Sequence, residues 1–188
     1  PSEPPAPPPA MPIAMPRGFA HVTSVIFPCH IDHAVIGLMD PAHGPFVHRS
    51  WWWRSAKSIH AKAKQFEPRD HGFAMVSHTP SSNSRAYKIL GGERSTEIQF
   101  QLPAIRREHI TIGRHHVLLL TALPPQDLDI VKKQQEGLRT AHAPLMLMGD
   151  ADAQALWYYR LKKEALGAKA EARAFENPLR ARTLKWRS

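Results

Sequence analysis

Residues 91–112 read GGERSTEIQFQLPAIRREHITI and contain the clearest strand pattern of the chain. Apolar residues alternate with polar ones at Ile98, Phe100, Leu102, Ile110 and Ile112. A period of two is typical of strands with one buried face and one polar face. Residues 103–109 lie between the two runs and contain a proline, two adjacent arginines and a histidine. The stretch therefore predicts two strands joined by a basic turn.

Short apolar runs separated by turn residues continue this pattern on both sides. We predict further strands at residues 19–27, 31–39, 73–77, 86–90 and 116–122. Many short strands with frequent turns favour a mainly β fold, and a β-sandwich in particular. Residues 125–139 fit either a helix or two short strands, and the local pattern also allows a helix that begins at Asp150.

Two further helices are predicted outside the β body. Ser50 is a good N-cap for a helix over residues 51–66, whose apolar residues recur every three or four positions. A second helix is predicted at residues 161–176, followed by an extended basic tail. Exposed basic and aromatic side chains favour contact with a partner protein or RNA. The candidates are Trp51, Trp53, Arg54, Lys57, Arg182, Lys185, Trp186 and Arg187.

The N-terminal residues 1–16 contain eight prolines, which favour an extended polyproline strap over a helix or a sheet interior. The organisation that follows is a strap at 1–18, an N-terminal extension at 19–70, a β body at 71–161 and a basic helix and tail at 162–188. Because the sequence begins with Pro1, we expect either that an initiator or leader has been removed or that the segment is a fragment. Removal of a leader fits an imported organellar protein.

The formal net charge of the chain is +9, and it is unevenly distributed. Residues 160–188 contain nine Lys or Arg and three Glu, so this segment carries most of the excess positive charge. A basic tail of this kind favours an acidic partner such as RNA, an anionic lipid surface or an acidic protein. No apolar run approaches the length of a transmembrane helix. The single Cys29 excludes an internal disulfide and a multi-thiolate zinc site.

The central stretch resembles the core of the forkhead-associated (FHA) domain family. The residues that carry the resemblance are Gly92, Arg94, the run 97–100 (EIQF), Ile105, Arg107, His109 and Ile112. Leu145-Met146-Leu147-Met148-Gly149-Asp150 also resembles a late FHA element that reads L-x-x-G-D. The resemblance implies an FHA-like β-sandwich over residues 71–161, with residues 155–161 as its closing strand in competition with the helix that begins at Asp150.

FHA domains bind phosphothreonine peptides through loops at one end of the sandwich. The resemblance implies a phosphate-binding role for Arg94, Arg106 and Arg107, and a structural role for Gly92 and His109. It is degenerate, because Arg106 occupies the family's phosphate-binding serine position and Glu93 separates Gly92 from Arg94. The expected role is therefore a docking platform, with phosphothreonine-peptide binding in signalling as an alternative.

Catalytic motifs are weak in this chain. There is no P-loop, G-x-G-x-x-G or G-x-S-x-G motif, so no enzymatic activity, cofactor or metal is predicted. His30 and His33 near Cys29 lack further ligands or a base at a recognisable spacing. His21 and His109 each begin an H-x-T motif, and two such motifs are typical of 2H phosphoesterases. Motifs of three residues arise readily by chance, so the two H-x-T motifs are weak support for phosphoesterase activity.

These observations predict a non-catalytic structural or accessory subunit of a large mitochondrial assembly on the matrix side. A mitochondrial ribosome, as a ribosomal protein near rRNA, is slightly favoured over an accessory subunit of a respiratory-chain or ATP-synthase complex. The expected partners are other protein subunits, and rRNA through the basic C-terminal tail.

Overall fold

A single antiparallel sheet of six strands, accompanied by two α-helices, forms the described part of the chain. The computed structural model describes residues 21, 31–41, 59–79, 93–121 and 149–188. The strands are β1 (Ala61–Arg69), β2 (Gly72–His78), β3 (Arg94–Gln101), β4 (Ile105–Ile112), β5 (His115–Thr121) and β6 (Arg182–Arg187). The helices are α1 (Ile31–Met39) and α2 (Ala153–Ala170), and a 3-10 turn at Asp150–Asp152 leads into α2.

The strand order in the sheet is β5-β4-β3-β2-β1-β6. The first five strands form a meander in which each strand pairs with its neighbours in sequence. Strand β6 returns after α2 and pairs with β1, with Phe66 opposite Arg182 and Ala61 opposite Arg187. The C-terminal residues therefore complete the sheet.

Aromatic side chains from both the sheet and α2 form the core. The ring of Trp157 in α2 lies 5.6 Å from Phe66 and 5.2 Å from Phe73, with both pairs edge to face. Tyr158 contacts Phe100 in the same way at 5.9 Å. Leu161 and Leu184 are completely buried beside these rings. Such aromatic pairs stabilise a core beyond the area they bury, so this cluster fixes α2 on one face of the sheet.

The prediction of a mainly β fold is confirmed. The strands expected within 91–112, at 73–77 and at 116–122 correspond to β2 through β5, although β4 begins at Ile105 and the turn is shorter than predicted. Among the described residues there is one sheet, and no second sheet faces it as a sandwich requires. The predictions at 1–18, 86–90 and 125–139 lie outside the described residues, as do all residues of 19–27 except His21.

Three sequence predictions were wrong in the type of element. Residues 31–39 form α1, because Val35 and Met39 point into the core one helical turn apart, despite their strand propensity. Residues 61–66 belong to β1, although their apolar spacing fits a helix, because β6 pairs with the whole segment and β2 pairs with it at Phe66. Residues 155–161 lie in α2, as the competing helical interpretation of this region predicted.

The C-terminal segment differs from its prediction in two ways. Helix α2 ends at Ala170, before the expected residue 176, since Ala172 adopts a left-handed conformation with φ of 51°. The backbone N–H of Arg173 then donates to the carbonyl of Ala168 at 2.9 Å, as in a Schellman motif at a helix C-terminus. The tail is extended as predicted, but it is a strand of the sheet and not a projecting arm.

Candidate functional site

The two faces of the sheet carry different side chains, because successive residues of a strand point to opposite sides. One face carries the aromatic core. The register places polar side chains of several strands together on the other side, which we call the outer face. Its polar members include Gln65, Glu67, Arg69, Glu97, Gln99, Arg107, His109, Thr111, His116, Lys185 and Arg187.

Hydrogen bonds and ion pairs link the charged groups in the middle of the outer face. Arg69 lies 3.8 Å from Glu97, whose carboxylate accepts a hydrogen bond of 2.8 Å from Gln99. Arg107 in turn donates to the Gln99 side-chain oxygen at 2.7 Å. Ala74 lies between Glu67 and Gln99 in the register, and it has no exposed surface. The centre of the outer face is therefore an internally paired polar layer.

The basic residues of the β6 region differ from that layer. Arg180, Lys185 and Arg187 are exposed, and no acidic group among the described residues pairs with their side chains. Lys185 and Arg187 both project from the outer face, two residues apart, which corresponds to about 6.8 Å along a strand. The edge of the sheet at β6 thus presents adjacent uncompensated positive charges.

Asp150 fixes the backbone that carries these charges. Its carboxylate accepts a hydrogen bond of 2.9 Å from the backbone N–H of Lys185 and one of 2.8 Å from the guanidinium of Arg182. The first bond satisfies a donor on the outer edge of β6, and edge donors are otherwise available for pairing with another chain. Since β1 pairs with the other edge of β6, the backbone positions of Lys185 and Arg187 are fixed within the sheet.

The structure does not bring together the three arginines predicted to bind phosphate. Arg106 lies on the core side of β4, where it pairs with Glu108 at 3.0 Å, whereas Arg107 lies on the outer face. Arg94 is opposite Ile112, six residues along the sheet from Arg106, a separation of about 20 Å. Three guanidinium groups placed in this way cannot meet one phosphate.

The other predicted site residues fall into three groups. Trp51, Trp53, Arg54, Lys57 and Gly92 lie outside the described residues. Arg182, Lys185 and Arg187 are exposed on β6, as a contact role requires. Trp186 is only 8% exposed and contacts Phe66 with ring centres 6.4 Å apart, so its indole belongs to the core and is not offered to a partner.

Sequence reasoning missed a polar cluster between the two helices. The Tyr158 hydroxyl donates to Asp32 at 2.5 Å, and the Lys162 ammonium donates to the same carboxylate at 2.6 Å and 2.7 Å. Burial raises the pKa of Tyr158, and the adjacent carboxylate raises it further. Tyr158 and Lys162 share a helix face by their spacing, but Asp32 is more than a hundred residues away, so no local pattern indicated it.

Strand β5 presents apolar side chains at the opposite edge of the sheet. Val117 and Leu119 are each 44% exposed, and Leu120 is 55% exposed. Large apolar residues grouped on an edge strand favour contact with another protein surface. The two edges of the sheet therefore differ in chemistry, since one is basic and the other apolar.

Within the described ranges, no group of three or more His, Cys, Asp or Glu side chains is arranged to hold a metal ion. Neither described helix has the length and apolar character needed to cross a membrane. His109, which the H-x-T motif singled out, makes its side-chain hydrogen bond to His116. Comparison of the chain with family models, curated proteins and solved structures found no match, so membership of the FHA family stays a prediction.

Proposed function

We propose that this protein is a non-catalytic docking subunit of a large RNA-containing assembly in the mitochondrial matrix, with the mitochondrial ribosome as the leading candidate. The observation that carries the proposal is the pair of exposed cations on β6, Lys185 and Arg187, with exposed Arg180 shortly before the strand, all three without acidic partners in the described part of the chain. The net charge of +9 adds a general attraction for polyanions.

The affinity of such a surface for RNA comes mainly from the release of counterions from phosphates. Cations on a fixed strand lose little conformational freedom on binding compared with those on a free tail. The hydrogen bond from Lys185 to Asp150 and the pairing of β6 with β1 provide that rigidity. The β6 edge is therefore suited to a phosphate backbone, which it would contact without reading base sequence.

The apolar edge at β5 supports the second half of the proposal, contact with neighbouring protein subunits. Its exposed residues Val117, Leu119 and Leu120 favour a protein partner over a nucleic acid. This feature also favours the second candidate, an accessory subunit of a respiratory-chain or ATP-synthase complex. The two candidates differ in whether RNA holds the protein in its assembly.

Sedimentation of gently solubilised mitochondria on a density gradient distinguishes the candidates. We expect the protein to co-migrate with a ribosomal subunit and to leave those fractions after RNase treatment. Heavy migration that RNase does not change would favour the membrane-complex accessory subunit. Migration near the mass of the 21.2 kDa chain, or absence from mitochondria, would overturn the proposal.

A pair of matched variants tests the β6 surface with polyuridylate as the probe. The double substitution Lys185→Gln and Arg187→Gln removes two cations from β6, whereas Lys163→Gln and Lys169→Gln removes two exposed cations from α2. For the first variant we expect the slope of log affinity against log salt to fall by about one for each lost phosphate contact. Equal losses in both variants would indicate a non-specific charge effect and contradict a localised interface.

A further inference from the structure

Two histidines lie against each other on the outer face of the β4–β5 hairpin. Nε2 of His109 and Nδ1 of His116 are 3.1 Å apart, and the ring centres are 5.3 Å apart with planes inclined by 25°. The register places His116 opposite Thr111, which sets it diagonally across from His109. Both rings therefore stand on the same side of two directly paired strands.

One carboxylate and one guanidinium lie near this histidine pair on the outer face. Glu97 lies directly opposite His109 on the neighbouring strand β3, so a carboxylate borders the pair. Arg107, the nearest arginine on the same face of β4, donates to the Gln99 side chain. His115 is next to His116 in sequence, but it points to the other face of the sheet and takes no part in the pair.

We propose that His109 and His116 together bind one divalent transition-metal ion of the zinc or copper type, with water completing its coordination. Imidazole nitrogens bind such ions at about 2.0–2.1 Å. Two nitrogens 3.1 Å apart then subtend an angle of about 100° at the metal, between the square-planar and tetrahedral values. Since χ2 of histidine is a soft torsion, ring rotation turns both lone pairs toward a common ion while the backbone stays in place.

The hairpin supplies the rigidity that a site with two protein ligands needs. Strands β4 and β5 pair along seven residue positions, from Arg106 opposite Thr121 to Ile112 opposite His115. No third His, Cys, Asp or Glu joins the pair in the described part of the chain. The site is consequently weaker than a structural zinc site with four protein ligands, and its open positions can accept water or a ligand from a partner.

Calorimetric titration of the full chain with Cu²⁺, and separately with Zn²⁺, tests the proposal. We expect one site stronger than the rest, weakened at least tenfold by His109→Asn and by His116→Asn. His115→Asn is the matched control, because His115 is exposed on the same hairpin but on the opposite face, and we expect it to change affinity less than twofold. Unchanged affinity in the first two variants, or an equal loss in the control, would overturn the proposal.

The chain contains 12 histidines, so a second measurement locates the ion independently of any variant. We expect substoichiometric Cu²⁺ to broaden the NMR ring signals of His109 and His116 in the wild-type protein before those of the other histidines. We also expect Zn²⁺ to raise the thermal midpoint of the wild-type protein and of His115→Asn, but not that of His116→Asn, since binding to the native state stabilises it. Earlier broadening at another histidine would contradict the assignment.

Discussion

The two faces of the sheet are built from the same strands, yet different interactions stabilise them. On the core face, rings from β1, β2 and β3 contact Trp157 and Tyr158 of α2. On the outer face, Arg69, Glu97 and Arg107 contribute to a partly exposed polar layer. Because exposed ion pairs contribute little to stability, the free energy of folding resides on one face. Side chains on the outer face can therefore differ in charge and polarity with little effect on stability.

The largest loss of stability is expected at Gly72, where an added side chain would clash with the backbone of the paired strand. A Cβ added at Gly72 would lie 1.8 Å from the carbonyl oxygen of Phe100 on the paired strand. That oxygen cannot move without breaking the pairing of β2 with β3, so we expect Gly72→Ala to lose about 5 kcal/mol of unfolding free energy, or to fail to fold. Urea denaturation followed by circular dichroism measures this loss.

Gly113→Ala is the matched control for that substitution. No atom lies within 4 Å of a Cβ added at Gly113, and the only obstacle is its φ of 55° in the β4–β5 turn. We expect a loss of about 1 kcal/mol, which is typical when alanine is forced to a positive φ. A loss at Gly72 no larger than that at Gly113 would show that the predicted clash is relieved by a small shift.

Alanine substitutions at the adjacent residues Gln65 and Phe66 of β1 compare how much each face of the sheet contributes to stability. Phe66 is 1% exposed and contacts three aromatic rings of the core. We expect Phe66→Ala to lose about 4 kcal/mol because it leaves a cavity among them. Gln65, on the outer face, bonds only to Glu67 at an exposed site, so Gln65→Ala should change stability by less than about 0.5 kcal/mol. Similar losses at both positions would contradict the division between the faces.

A smaller effect is expected at the contact between α1 and α2. Tyr158→Phe removes the hydrogen bond to Asp32, and we expect a loss of about 2 kcal/mol at neutral pH. The raised pKa of Tyr158 means that the folded tyrosine stays protonated where the unfolded one ionises, near pH 10. Its contribution is therefore complete below pH 10 and is lost as pH rises above that value.

Unfolding free energies measured from pH 8 to pH 11 test whether the contribution of Tyr158 to stability falls as the pH rises. The difference in unfolding free energy between the wild-type protein and Tyr158→Phe should shrink as the pH rises above 10. A difference that stays constant or grows with pH would show that the phenol makes no bond to Asp32 in the folded state.

Local sequence determined the strands that pair with their neighbours in the chain. The alternation around Ile98 and Phe100, and that around Ile110 and Ile112, predicted β3 and β4 correctly, because short loops let the hydrophobic pattern set the register. The excess of cations in the C-terminal segment was also predicted, because the charge of Lys and Arg follows from the residue type and does not depend on the fold.

Tertiary structure alone decided the elements whose partners are distant. β1 has a helical spacing of apolar residues, but β6, more than a hundred residues away, pairs with it and makes it a strand. Trp186 was predicted as a surface contact and is buried for the same reason. The contact of Asp32 with Tyr158 likewise depends on the packing of two helices that are distant in sequence. Local propensity is worth only fractions of a kcal/mol per residue, so long-range pairing and burial override it.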